Sequence, residues 1–385
     1  MSDNIPSILA DADTLGGGAT AREIAQQPAT LIETAAMVRT RREQIAAFVD
    51  PLVVDTNTRI ILAGAGTSAF AGAILAPTLS VELGRPVEAI ATTDIVARPR
   101  EIFADRRPVL LVSFARSGNS PESVAACELA DALAAECRHL VITCNRQGRL
   151  FHEYDGAARS LVLALPEATD DQGFAMTSSV TAMMLAATGA FCPAQVAEAR
   201  VAAIANAVGQ VLIERNDAIR EIAGRGFERI VYLGSGALRG LAEESALKIL
   251  ELTGGRMLSY HDTALGFRHG PKSLLDEKTL VLVYVAGEAH AARYDADLLA
   301  EVSGQLGPQR VIAIAPESAG DLARGATDWR CGGPGDEAAL VYPYLVHAQL
   351  LALHASVATG RTPDNPFPSG EVNRVVKGVT VHPLD

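Results

Sequence analysis

Short runs of apolar and β-branched residues recur along this chain, and longer stretches of helical character separate them. In the first half these runs are RIILAGAG, LLVSF and HLVITCN, which start at Arg59, Leu110 and His139. Because both alternating faces of each run are apolar, the runs are typical of strands buried within a parallel sheet. The stretches predicted to be helical include 67–83, 121–136 and 238–252.

The same three runs return in the second half of the chain. RIVYLGSG starts at Arg229, LVLVYV at Leu280 and QRVIAIA at Gln309, each 170 residues after its counterpart. Three matches at one offset indicate a duplicated domain. Strands that alternate with helices predict an α/β fold. We therefore expect two tandem domains, each a doubly wound parallel sheet flanked by helices in a three-layer αβα sandwich.

The segments outside the repeats set the predicted domain boundaries. We predict an N-terminal arm at 1–40 and a first domain at 41–192. A helical connector at 193–220 leads to a second domain at 221–361, and a C-terminal tail follows at 362–385. The tail is rich in proline and glycine, but its segment NRVVKGVTV is too apolar for a frayed end. We therefore expect the tail to dock on the folded protein.

Composition narrows the class of protein. The 385 residues carry a net charge of −12, which argues against a general nucleic-acid surface. The five cysteines form no CxxC pair and are typical of reduced, structural thiols. The acidic N-terminus does not resemble a signal peptide, and no apolar run approaches the ~20 residues that cross a bilayer. These observations predict a cytoplasmic protein without membrane or nucleic-acid partners.

Two hydroxyl-rich turns follow neighbouring predicted strands, and each precedes a predicted helix. Their sequences are AGTSAF (65–70) and ARSGNSPES (115–123), in which Pro121 suits the first helical position. Hydroxyls beside the N–H groups of helix N-termini form a suitable site for a phosphate group. The candidate phosphate ligands are Gly66, Thr67, Ser68, Arg116, Ser117, Gly118 and Ser120.

Two other interpretations of these turns stay open at this point. Either turn alone is more typical of an ordinary helix cap. GAGTSA also fits a loose dinucleotide-binding pattern, although no acidic residue ends a second strand about 20 positions later. The presence of both turns at matching positions favours phosphate. The equivalents in the second half, GSGALRG and VYVAGEAH, lack the hydroxyl clusters, which leaves the second domain available for a different role.

Candidate catalytic residues occur in the second domain. Lys248 and Glu251 lie three positions apart, on one face of a predicted helix. By itself this spacing is typical of a surface ion pair. His269 is a loop histidine, and His261 with Asp262 lacks the spacing of a metal site. We predict no metal.

A resemblance to a known family implies roles for these residues. AGTSAF, SFARSGNSPES, ALKILE and FRHGPKS, in this order, resemble the sugar-isomerase (SIS) superfamily and the isomerase half of glucosamine-6-phosphate synthase. DQGFAMTSS, YLGSGALRGLAEESALKILELTGG and NRVVKGV resemble the AgaS family of galactosamine-6-phosphate deaminase/isomerases. The resemblance extends from about residue 20 to the end. It implies conversion of galactosamine 6-phosphate to tagatose 6-phosphate and ammonia.

The resemblance also implies roles for individual residues. Thr67, Ser68, Ser117 and Ser120 match the family's phosphate-binding positions, whereas Arg116 stands where the synthase has glutamine.

In the second half, Glu251 matches the carboxylate that moves a proton between C1 and C2, and His269 matches the ring-opening histidine. Lys377 matches the lysine that reaches the sugar's carbonyl end, so the resemblance implies that the tail closes the active site. Phe174 and Lys248 are implied to lie at the sugar.

This chemistry requires a histidine that titrates near neutrality and one carboxylate base, but no metal or redox cofactor. Plain aldose–ketose isomerisation of tagatose 6-phosphate, or of another hexose phosphate, is the main alternative, because it shares the ring opening and the proton shift. A non-catalytic sugar-phosphate sensor is a lower alternative, and the arm has no room for a helix-turn-helix domain. The substrate is a small sugar phosphate. The resemblance implies a homodimer or homotetramer.

Overall fold

The computed structural model describes residues 12–323, 325–376 and 378–384. The strands are β1 Arg59–Gly64, β2 Val87–Ala91, β3 Val109–Ala115, β4 Cys137–Thr143, β5 Ser160–Ala164, β6 Arg229–Leu233, β7 Leu258–Asp262, β8 Thr279–Tyr284, β9 Val311–Pro316 and β10 Thr327–Cys331. The helices are α1 Gly18–Ala25, α2 Gln27–Thr40, α3 Arg42–Val54, α4 Thr67–Leu83, α5 Thr92–Ala97, α6 Pro99–Ile102, α7 Pro121–Leu133, α8 Arg149–Tyr154, α9 Ser178–Phe191, α10 Glu198–Glu214, α11 Asn216–Ala223, α12 Ala237–Leu252, α13 Ala264–Phe267, α14 Ala289–Leu306 and α15 Glu337–Ala358. Short 3₁₀ helices span Glu167–Thr169, Pro193–Val196, Pro271–Leu274, Pro308–Arg310 and Glu317–Ala319.

Two five-stranded parallel sheets share one topology. The first has the order β2-β1-β3-β4-β5 and the second the equivalent order β7-β6-β8-β9-β10. Within the first sheet Arg59 pairs with Val109, and within the second Arg229 pairs with Thr279. The same register, 170 residues later, confirms the duplication. The predicted α/β class, with two parallel sheets flanked by helices, is confirmed as well.

The third pair of matched runs, HLVITCN and QRVIAIA, departs from the constant offset of 170 residues in the structure. Leu111 pairs with His139 in the first sheet, whereas the equivalent Val281 pairs with Val311 in the second. The run that starts at Gln309 therefore enters its strand two residues late, because Pro308–Arg310 forms a 3₁₀ turn first. This detail of the predicted repeat is wrong by two residues.

The structure divides into two compact units, and each is discontinuous in sequence. The first unit contains residues 29–171, 178–201 and 369–384 with the first sheet. The second unit contains residues 12–28, 172–177 and 202–368 with the second sheet. The predicted domain boundaries stay predictions.

Hydrogen bonds explain why residues 172–177 group with the second unit. The Glu23 carboxylate accepts from the backbone N–H groups of Gln172, at 2.5 Å, and Gly173, at 3.0 Å. One turn earlier on α1, the Thr20 N–H donates to Asp364 at 2.8 Å. These contacts tie the start of the chain to the loop and to the end of the second unit.

The second unit is built around α15. This helix has 22 residues and is apolar enough to cross a membrane, although no apolar run of that length was expected from the sequence. However, 89% of its most apolar window is buried within the fold, as is typical of the core helix of a globular domain. Gln349 also forms a hydrogen bond with the side chain of Gln27 at 2.7 Å, and such a buried polar side chain suits a protein core.

Two histidines on α15, the buried His347 and the partly buried His354, give this unit a sensitivity to acid. Burial lowers the pKa of His347 to about 3 and the pKa of His354 to about 4. One ring nitrogen of His347 bonds with the Pro343 carbonyl oxygen at 2.8 Å, and the ring stacks on Trp329. Both folded-state pKa values lie below the ordinary value of about 6.5. Their contribution to stability is therefore present above pH 6.5 and is lost as the pH falls.

We predict that His347→Gln reduces this acid sensitivity. Glutamine keeps an N–H donor for the Pro343 carbonyl but takes up no proton in the unfolded chain. Between pH 7 and pH 5 the wild-type free energy of unfolding should fall by about 2 kcal/mol more than that of the variant. Urea unfolding at both pH values measures this difference, and the exposed His152→Gln is the matched control. Equal losses in wild type and His347→Gln would contradict the prediction.

Candidate active-site residues

The two hydroxyl-rich turns belong to the first unit and lie at the same edge of its sheet. β1 and β3 are neighbouring parallel strands, with Ala63 paired with Ser113. Their carboxyl ends lead directly into the two turns, and the strand order reverses direction between them. Ligands of open α/β sheets bind at such a switch point.

The first turn is shaped by two glycines. Gly66 precedes α4 with φ +56°, a conformation that favours glycine. A Cβ on Gly64 would lie 2.5 Å from the carbonyl carbon of Ser68, so only glycine allows this close approach. Thr67 and Ser68 occupy the first helical turn and are buried. They therefore lie at the positive end of the dipole of α4.

In the second turn, one serine already caps a helix. The Ser120 side chain accepts from the Ser123 N–H at 3.3 Å, and the two hydroxyl oxygens are 2.7 Å apart. Ser117 accepts from the Asn119 N–H at 3.3 Å, and Gly118 has φ +66°. The cap interpretation therefore holds for Ser120.

Arg116 makes a contact that the sequence did not predict. Its side chain is buried, and Nη2 donates a hydrogen bond to the carbonyl oxygen of Arg374 in the C-terminal tail at 2.8 Å. The tail thus docks on the first unit through residue 374. Lys377 lies outside the described residues, so its predicted role stays a prediction.

The second unit carries a row of charged side chains on α12. Lys248 and Glu244 are fully buried, with Nζ 3.4 Å from a Glu244 carboxylate oxygen. Lys248 also forms a hydrogen-bonded ion pair with Glu251, whose side chain keeps 24% of its surface exposed. The interpretation of Lys248 and Glu251 as a surface pair is wrong, because the lysine is buried. Sequence reasoning missed Glu244, although its spacing of four from Lys248 marks the same helix face.

His269 and Phe174 occupy loops of the second unit. The His269 side chain is exposed, and the backbone N–H of this residue donates to the Gly266 carbonyl oxygen at 2.9 Å. The loop is fixed by its neighbour Arg268, which pairs with Glu301 at 2.9 Å. The Phe174 ring is buried against Phe367, with ring centroids 5.3 Å apart.

Glu23 holds the backbone of the Phe174 loop, as described above. A Cβ on Gly173 would lie 2.8 Å from the Glu23 carboxylate, so the glycine permits this contact. Glu23 is separated from Gly173 by 150 positions, and no local sequence signal identified it.

Among the described residues, one cluster combines side chains that bind metals. It contains Asp131, Cys137 and His139, whose candidate ligand atoms lie within 4.8 Å of one another. Asp131 already bonds with His139 at 3.1 Å and pairs with Arg159 at 3.7 Å. Burial also raises the pKa of the Cys137 thiol well above its usual range. The cluster lies at the amino end of β4, away from the hydroxyl-rich turns.

Comparisons with known proteins define the class. The family model described as "SIS domain" matches residues 53–192 and 225–359. The two matches cover more than half of the chain, and each contains one of the two sheets. The chain therefore carries two SIS domains in tandem.

Relatives that are similar over nearly the full length of the chain define the family within this class. An AgaS protein of Streptomyces coelicolor is 53% identical over 371 residues, 95% of this chain and 96% of that protein. The D-galactosamine-6-phosphate deaminase AgaS of Escherichia coli is 43% identical over 384 residues, 98% and 99% of the two chains. The crystal structure of tagatose-6-phosphate ketose/aldose isomerase from Escherichia coli superimposes with a TM-score of 0.89 at 40% identity, covering 99% of both chains. The chain belongs to the AgaS family, as its motifs predicted.

We predict that the two close-approach glycines do not tolerate a methyl group. Gly64→Ala should lower the free energy of unfolding by about 1–3 kcal/mol, because the Cβ overlaps the backbone of Ser68. Gly234→Ala should behave alike, since its Cβ would lie 2.5 Å from the Leu238 carbonyl oxygen. Gly209→Ala, in open space within α10, should instead stabilise by about 0.5–1 kcal/mol. Urea unfolding tests all three, and a stable Gly64→Ala variant would refute the close approach.

We also predict that Lys248 is needed for stability. Lys248→Met removes the cation between two carboxylates, one of them fully buried, and should cost about 3–5 kcal/mol in the free energy of unfolding. Adding Glu244→Gln should recover part of this loss, because it removes the buried negative charge. Lys272→Met, at a partly exposed pair with Glu301, is the control and should cost less than about 1 kcal/mol. A similarly small cost for Lys248→Met would show that the lysine is not a buried ion-pair partner.

Proposed function

We propose that this chain converts galactosamine 6-phosphate to tagatose 6-phosphate and ammonia. The observation that carries the proposal is Glu251, a partly exposed carboxylate fixed by the fully buried ammonium group of Lys248. A base that must contact a substrate needs both accessibility and a fixed orientation. The name and the full-length similarity of the Escherichia coli deaminase support the same reaction.

We propose that the hydroxyl-rich turns bind the phosphate group. Ser68, Ser117 and Ser120 supply hydroxyl donors, together with Thr67 and the backbone N–H groups of the Gly66 and Gly118 turns. Oriented N–H groups and a helix dipole stabilise an anion without a counter-ion. The proposal is supported by the adjacency of β1 and β3, which places both turns at one sheet edge.

The proton shift is assigned to Glu251 in this proposal. After His269 has helped to open the sugar ring, the carboxylate removes the proton from C2 and returns it to C1. The enolamine intermediate becomes an iminium at C2, water adds to this carbon, and the C–N bond breaks to release ammonia. Glu251 carries the proton between the two transfers, and its contact with the Lys248 ammonium group keeps the carboxyl group oriented. None of these steps requires a metal or redox cofactor.

Phe174 and Lys377 complete the proposed set at the sugar. The loop at Phe174 is held by Glu23, which suits a role in positioning backbone groups. Lys377 is assigned to the carbonyl end of the opened sugar, where an ammonium group would polarise the oxygen. We further propose that the protein works in the cytoplasm as a homodimer or homotetramer.

Plain isomerisation of tagatose 6-phosphate or another hexose phosphate is the second candidate function. The similarity to the Escherichia coli tagatose-6-phosphate ketose/aldose isomerase structure supports it, and the same base serves both reactions. A sugar-phosphate sensor has less support, because binding alone does not require a carboxylate fixed by a buried lysine.

The test is ammonia release from galactosamine 6-phosphate, with glucosamine 6-phosphate and tagatose 6-phosphate assayed alongside. Glu251→Gln should lower kcat by roughly 10²–10⁴-fold with little change in KM, because the amide keeps the shape but accepts no proton. Glu243→Gln is the matched control, since Glu243 lies on the same helix and is also partly exposed.

Each outcome of this assay has a defined meaning. Ammonia release that Glu251→Gln abolishes and Glu243→Gln retains supports the proposal. Interconversion of hexose phosphates without ammonia from either amino sugar would replace it with the isomerase. Binding without turnover would favour the sensor.

A further inference from the structure

The C-terminal tail reaches the second hydroxyl-rich turn through Arg116. This arginine follows β3 directly and is the first residue of the turn that leads to α7. Its side chain is 8% exposed, and Nη2 donates to the Arg374 carbonyl oxygen at 2.8 Å. A buried guanidinium that donates to a backbone carbonyl is oriented toward the tail by that bond.

Arg374 makes a second set of contacts with its own side chain. Its guanidinium donates a hydrogen bond to the carbonyl oxygen of Asp171. The same group lies 3.6 Å from a carboxylate oxygen of Asp170. Residue 374 therefore joins the tail to two separate places in the first unit, once through its backbone and once through its side chain.

The base of this connection is rigid. The Asp171 carboxylate is buried and accepts from the Ser178 hydroxyl at 2.5 Å and from the Ser179 N–H at 2.8 Å. These bonds hold residue 171 against the first turn of α9, a helix that is buried along its whole length. Arg374 thus binds a carbonyl whose position is set by the core.

We propose that Arg116 and Arg374 are positioning residues that anchor the C-terminal tail to the phosphate-binding turn and couple the order of the tail to phosphate binding. The inference rests on the proposed function only in that the turn binds phosphate. Arg116 then acts through the tail rather than as a phosphate ligand. Coupling of this kind is reciprocal, so bound phosphate stabilises the anchored tail and the anchored tail favours phosphate.

The anchor has a direct consequence for the end of the chain. Lys377 follows Arg374 by three positions, and three residues span at most about 11 Å. Anchoring residue 374 therefore restricts the reach of that lysine. It also reduces the conformational entropy that the tail loses when substrate binds.

The experiment measures backbone amide exchange of residues 369–384 in the full-length protein, with and without inorganic phosphate. Arg374→Ala and Arg116→Gln should each raise the exchange rate of these amides roughly tenfold or more, since each removes a charged donor. We expect residue 374 to need both contacts, so that loss of either one releases it. The double variant should therefore exchange less than about twofold faster than either single variant. Arg116→Lys keeps a donor and should restore part of the protection. Arg159→Ala, at the opposite edge of the sheet, is the control.

Phosphate supplies the second readout. In wild type, saturating inorganic phosphate should slow exchange of the tail amides severalfold, and Arg374→Ala should abolish this effect. Calorimetry with inorganic phosphate should show a similar, moderate loss of affinity in Arg116→Gln and Arg374→Ala. A loss confined to Arg116→Gln, with tail exchange unchanged, would identify Arg116 as a phosphate ligand and overturn the anchor. Unchanged exchange in Arg374→Ala would overturn it as well.

These readouts separate the inference from the proposed function. Loss of the exchange pattern in an active deaminase would overturn the anchor alone. If the protein releases no ammonia but the tail responds to phosphate and to both arginine variants, the anchor stands and only the reaction fails.

Discussion

The parallel pairing of β1 with β3 is the constraint on which the arrangement of the first unit depends. Adjacent parallel strands end at the same edge of a sheet, so their two following turns must be neighbours. The backbone needs glycine at both turns, at Gly64 for close packing and at Gly66 and Gly118 for a positive φ. The tail contacts the same edge, because Arg116 is the first residue after β3. The adjacency of the two hydroxyl-rich turns and the docking of the tail are thus consequences of one strand pair.

The two repeats share the backbone conformation of the turn between the first strand and its helix, but they carry different side chains there. Gly236 precedes α12 with φ +59° and ψ −126°, almost the same angles as Gly66 before α4. In both repeats a glycine two positions earlier allows the helix to approach the strand. The clusters of hydroxyl residues occur in the first copy, whereas the equivalent turn of the second has the sequence GSGALRG. In the second, α12 carries instead the row of Glu244, Lys248 and Glu251, of which the first two are buried. The same backbone arrangement thus supports two different sets of side chains.

Features that depend on neighbouring residues could be predicted from the sequence, whereas contacts between distant positions could not. The start of α4 at Thr67 and of α7 at Pro121 followed from turn residues after apolar strands, and the motifs identified the family. Contacts between distant positions, such as Glu23 with residue 173 or Arg116 with residue 374, leave no periodic signal. The burial of Lys248 also escaped prediction, because a spacing of three is the same for a surface pair and for a buried one.

The row of charged side chains on α12 lowers the stability of the fold unless its buried members are fully paired. Two carboxylates and one ammonium leave a net negative charge on one helix face, and desolvating such groups costs several kcal/mol per ion. Apolar side chains of similar volume would pack there at less cost. Glu244 and Lys248 are fully enclosed, whereas Glu251 keeps a quarter of its side-chain surface exposed. The row therefore ends at a partly exposed carboxylate, which pairs with the buried ammonium group of Lys248. Stability alone therefore does not account for this arrangement, and the partly exposed carboxylate is what supports the role proposed for Glu251.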